Sequence, residues 1–85
     1  MNRPVYWECT VGGHSKFWAA QIFELKMVIA PGPNYTMVYK LSRRWGAIST
    51  EGQKMEQIYE NKYEAETALD KLIWEKEKRG YKPVF

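Results

Sequence analysis

The chain has 85 residues, 45% of them hydrophobic, and a net charge of +3, so it is long enough for one domain (residues 1–85) with one modest core. No stretch approaches the ~20 apolar residues of a membrane-spanning helix, the N-terminus lacks an apolar signal-peptide core, and the single Cys9 cannot form an internal disulfide. These features predict a cytoplasmic protein with no membrane partner. Residues 1–50 carry six cations against two acids and residues 51–85 carry seven against eight, so a polyanion would be met by the N-terminal half.

Val5 to Val11 alternates, with Val5, Trp7, Cys9 and Val11 on one face, and predicts a half-buried strand. Gly12-Gly13-His14 is a turn. Lys16 to Leu25 is rich in aromatic and β-branched residues and predicts a second strand, against the weak strand preference of Ala19-Ala20. Met27-Val28-Ile29 extends that strand or forms an edge, and Pro31-Gly32-Pro33-Asn34 is a loop. Tyr35 to Leu41 alternates again and predicts a third strand, running through Arg43-Arg44 into a glycine-punctuated turn at Trp45-Gly46-Ala47. Ile48 to Gly52 is a connection, and Gln53 to Tyr59 is a fourth, more polar strand. The period then changes. Asn61 with Glu64 has the form of a helix cap, and Ala65, Ala68, Leu69, Leu72, Ile73 and Lys76 fall on one stripe. Lys76, Lys78 and Arg79 complement the helix dipole and Gly80 is placed to end a helix from about Lys62 to Arg79. Strands followed by a single helix predict a small α+β domain, with an antiparallel sheet packed on a C-terminal helix.

The chain resembles the WGR domain family on three features, in order along roughly Lys16 to Tyr81. Phe17-Trp18 opens a strand that ends in Gln21-Ile22-Phe23-Glu24. Tyr39 leads through an alternating strand into Trp45-Gly46, followed by Ile48, Thr50 and Gly52-Gln53. An acidic, alanine-bearing helix from Glu64-Ala65 ends in Arg79-Gly80-Tyr81. The resemblance implies a four- or five-stranded antiparallel sheet on one helix, and binding near a DNA end. In the DNA-dependent poly(ADP-ribose) polymerases of this family the signature Trp stacks on the sugar of a terminal nucleotide and the signature Arg contacts DNA. Trp45 inherits the first role by position. Ala47 stands where the Arg would be and has no donor for a phosphate.

The candidate site is therefore Trp45 with Gly46, Arg43, Arg44, Lys40 and Lys54, a stacking platform among phosphate-neutralising cations. Trp45 is either that exposed platform or a sheet-capping core residue. In a regular strand one of Arg43 and Arg44 shares its face, unless a bulge re-aims the other. Lys40 and Lys54 are neighbours if the third and fourth strands pair. Phe17, Trp18 and Phe23 are expected in the core, Tyr35, Met37 and Tyr39 on a packed face in preference to an exposed aromatic row, and Trp74 either against the sheet edge or in a protein contact.

Catalysis has little support. Cys9 and His14 flank a Gly-Gly turn with nothing to orient the imidazole. One Cys and one His cannot complete a metal site, and no glycine-rich loop opens a helix to cradle a nucleotide cofactor. The expected function is non-catalytic binding of DNA ends or breaks, without cofactor or small-molecule substrate. The alternative is a protein-interaction module or homodimer, motivated by Ala47 and by a surplus of aromatics for so small a core.

Overall fold

Alternating apolar residues on both faces of two long strands dominate the architecture. The computed structural model describes residues 4–29 and 31–84, and Arg3, counted above among the cations, lies outside them. β1 (Tyr6–Cys9), β2 (Lys16–Val28), β3 (Tyr35–Ala47), β4 (Gln53–Tyr59) and β5 (Lys82–Pro83) form one antiparallel sheet in the order β4-β3-β2-β1-β5. The helix α1 (Lys62–Lys78) lies over one face.

The core sits between that face and the helix. Trp7, Trp18 and Trp45 form a cross-strand row ending at Gln53, and Trp7 and Trp18 are each 1% exposed with ring centroids 4.9 Å apart. Leu41, Ala20 and Leu69 complete the buried cluster. Ala20, despite the weak strand preference of alanine, is buried on the helix-covered face of β2 in the same cluster as Leu69. The helical stripe holds as expected, with Ala65 and Leu69 buried and Leu72 and Ile73 half-buried.

Asn61 caps this helix. Its Oδ1 accepts the Glu64 N–H at 2.8 Å from an extended backbone (φ −132°, ψ 154°). Asn61→Ala is expected to cost about 1 kcal/mol, measured as a lower midpoint of urea unfolding with an unchanged slope.

Several sequence expectations are corrected. The first strand stops at Cys9, because Val11–Gly13 forms a single 3₁₀ turn, leaving Val11 exposed along with Val5. Trp45-Gly46-Ala47 is the last part of β3, not a turn, since pairing with β2 runs unbroken from Lys16↔Ala47 to Val28↔Tyr35. β5 was not read from the sequence. Two residues carry no periodicity, and their pairing is set by β1, with Val84 N–H donating to Tyr6 O at 2.9 Å. Phe17 and Trp18 are buried, but Phe23 is 40% exposed because it lies on the face that the helix does not cover. Tyr35 is exposed, Met37 and Tyr39 are half-buried, and Val38 on the opposite face is buried instead. Trp74 is 63% exposed with the Lys78 ammonium 4.7 Å from its ring, so it does not plug the sheet edge.

β1 pairs with β2 only as far as Ala19, and β4 pairs with β3 only as far as Tyr39. The rest of β2 and β3 projects as a two-stranded arm from a molecule 55 Å long and about half as wide in its other two dimensions.

Candidate nucleic-acid interface

The site around Trp45 is built where β3 ends. Strand alternation places Arg43 and Trp45 on the helix side, and Arg44, with Gly46, on the other. No bulge interrupts the register, so the two arginines point to opposite faces.

Lys40 and Lys54 do come together, but on the open face with Arg44 and away from the indole. Both reach Glu56 Oε2, at 3.1 and 3.6 Å. The two ammonium groups hold the Glu56 carboxyl below the usual carboxylate range, chiefly through the hydrogen bond from Lys40. This pairing leaves them partly neutralised. Arg44 lies 5.3 Å from the ring of the buried Phe17, which also stacks on Tyr6 at 5.7 Å. Of the residues expected at the site, Trp45 and Arg43 therefore form one group and Arg44, Lys40 and Lys54 another, with Gly46 on the face of the second.

Trp45 is half-buried. One part of it packs against the core cluster and another lines an open groove with Arg43, Met55, Glu75, Lys76 and Arg79. The indole is thus neither a wet tip nor an interior residue. It is held by packing while part of it stays accessible, which suits a platform that needs no ordering on binding. Arg43 is braced by donation from Nη2 to Met55 Sδ at 2.7 Å.

Helix and sheet together bring two cations that the sequence reading left out. Lys76 and Arg79, three residues apart in and just beyond the last turn, face the groove beside Trp45. The legible signal was Lys76 itself, a lysine on the apolar stripe of the helix. A third cation stands beside Ala47. Lys16 is the direct cross-strand partner of Ala47, and directly opposed side chains stand about 5 Å apart at Cβ. Alternation puts both on Trp45's face.

The cations crowd one another. The Lys76 ammonium titrates below its ordinary value, first because it is partly buried and then because Arg79, Arg43 and Lys16 repel its charge; Glu75 offsets part of this. The Tyr81 ring lies 5.5 Å from the same ammonium. Among the described residues, Arg43, Lys16, Lys76 and Arg79 form no ion pair. Folding disfavours charged Lys76, so its cost to stability is present at neutral pH. That cost is relieved as pH rises through the folded-state value, where the fold sheds the proton before the unfolded chain does. Tyr6 and Tyr81, both raised mainly by burial, act in the opposite sense at alkaline pH. The comparison with Lys76→Gln isolates the lysine. The parent is expected to gain stability relative to the variant as pH climbs into the alkaline range, read from urea midpoints of both.

The turn after Trp45 depends on close backbone approach. A Cβ on Gly46 would sit 2.8 Å from Gly52 Cα, and one on Gly52, which has φ +71°, would sit 2.1 Å from the Trp45 carbonyl oxygen. Thr50 closes the turn, its Oγ1 donating to Ala47 O at 2.6 Å. The glycines permit the contact that fixes Trp45 at the end of the sheet.

This arrangement coincides with a family match over nearly the whole chain. The WGR domain model matches residues 3–84. The chain belongs to the WGR domain family. No curated protein and no solved structure shows a significant match to it. The WGR domain is a small module linked to nucleic-acid binding and is not by itself a catalytic domain. Among the described residues of this WGR domain there is no cluster of metal-ligating side chains, and no helix is long and apolar enough to cross a membrane.

Proposed function

We propose that this WGR domain is a non-catalytic DNA-binding module that recognises ends or breaks at the Trp45 groove. The observation that carries the reading is the group of cations around a half-buried indole. Arg43, Lys76 and Arg79 line one groove with Glu75 as the one acid among its lining residues, and Lys16 stands on the same face of the sheet beside Ala47. Such a cluster is unfavourable in the free protein and is relieved by a polyanion. An open, shallow groove suits the sugar face of an end nucleotide better than a small substrate, which needs enclosure. The family's arginine function passes to Lys16 and Arg43, which supply charge from either side of the position that Ala47 vacates.

Neutralising three to four phosphates gives a salt slope of about −3, so binding is weak and salt-sensitive. Fluorescence anisotropy at low salt with blunt, nicked and single-stranded oligonucleotides tests the reading. The expected result is binding to duplex ends and nicks above that to an end-free closed duplex. Negligible binding to all of them would overturn it and leave the protein-interaction alternative.

A further inference from the structure

We propose that the free edge of the hairpin arm is a self-association surface, and that β2 pairs antiparallel with β2 of a second copy about a twofold axis at Leu25. Among the described residues, no strand pairs with β2 on its β1 side beyond Ala20, which donates its N–H to Val5 O at 3.0 Å. The N–H of Ile29 donates the other way, to Asn34 O in the hairpin loop. Even-numbered residues of this regular strand therefore turn their backbone groups outward, so Ile22, Glu24, Lys26 and Val28 offer N–H and C=O to the free edge.

The side chains along that edge are complementary to themselves, with Glu24 exchanging its exposed pair with Lys62 (3.7 Å) and Lys26 its place over the Tyr35 ring (4.3 Å) for contacts across the axis. With the axis at Leu25, Glu24 stands opposite Lys26 of the second copy, and Lys26 opposite Glu24 of that copy. Ile22 meets Val28 on the same face. On the other face, Leu25 meets Leu25 and Phe23 meets Met27. The even residues form the hydrogen-bonded pairs, and Leu25 falls in the close, non-hydrogen-bonded pair, where side chains approach most nearly. Shifting the axis by one residue opposes Glu24 to Glu24 or Lys26 to Lys26, so charge selects this register. Phe23, Leu25, Met27 and Val28 are 40%, 37%, 48% and 71% exposed in the single copy. An isolated two-stranded hairpin with apolar residues left open is marginal in water, and the β2–β2 contact joins the two arms into one four-stranded sheet. The closed twofold contact is isologous and does not propagate into a filament. Trp45 is opposite Trp18, about 23 Å along β2 from Leu25, so both grooves stay open in the pair.

Sedimentation of the whole chain from roughly 5 to 500 µM tests this, a small edge contact giving a dimer in the micromolar range. Glu24→Lys alone or Lys26→Glu alone is expected to weaken dimerisation at least ~10-fold by opposing like charges twice, and the double exchange to restore it to within ~3-fold. Leu25→Cys is expected to form a symmetric disulfide on mild oxidation, because its Cα atoms stand about 4.5 Å apart across the axis. Met27→Cys, facing Phe23 in this register, is not. A parent that stays monomeric overturns the proposal. So do single charge reversals without effect, or Met27→Cys cross-linking as readily as Leu25→Cys.

Discussion

Replacing Lys76 and Arg79 together by glutamine is expected to weaken DNA binding about 10- to 100-fold at low salt and to reduce the salt slope by about 2, since two charge-assisted phosphate contacts are lost. The domain should stay folded and no less stable than the parent. Lys76 is disfavoured as a cation in the fold by burial and by Arg79, Arg43 and Lys16, so neutral side chains remove repulsion. This separation of binding from stability makes the pair more informative than Trp45→Ala. The half-buried indole packs on the core cluster, and its loss confounds the two readouts. Anisotropy titrations across salt, with urea unfolding in parallel, check both halves of the expectation. Unchanged affinity and slope would remove the groove from the binding surface.

Gly52→Ala is expected to destabilise the domain by about 3 kcal/mol or more, a large share of what a chain this short holds in reserve. The added Cβ meets the Trp45 carbonyl oxygen at 2.1 Å, and the φ of +71° is one that alanine rarely adopts. The two nearest atoms are both backbone of Trp45, not a flexible side-chain end that can swing aside. The turn must open, carrying Gly46 and the end of β3 with it. Because Trp45 is anchored there, DNA binding should fall as well. Urea denaturation gives the stability loss, and a variant within about 0.5 kcal/mol of the parent would show that the turn gives way at little cost.

Much of the fold was legible in local pattern. Period-2 alternation in Tyr35 to Leu41 and the stripe from Ala65 to Lys76 each follow from burying one face of a strand or helix, and both elements are where that pattern puts them. β5 was not legible, because its two residues depend on an edge supplied by β1. The exposure of Phe23 was not legible either. Composition says an aromatic is buried, and only the placement of the single helix says which face of β2 is covered.

Of the proposed site, the sequence named Trp45 with Arg43, Arg44, Lys40 and Lys54, and the sheet places only Arg43 of these cations on the face of Trp45. Chain proximity suggested one patch, whereas alternation across a sheet separates side chains that are neighbours in sequence. Glu56, which binds both lysines, could be located only once β3 and β4 were in register.

The sequence alone determined an α+β WGR domain and the aromatic of its signature, because those rest on periodicity and on motif residues close together in the chain. Tertiary packing decided which cations surround that aromatic. Arg43, Lys76 and Arg79 come from a strand and the helix end, and the docking of α1 on the sheet brings them to one groove, while the register of β2 against β3 sets Lys16 beside it. Like charges gather there because the hydrophobic core beneath holds the elements in place against their repulsion.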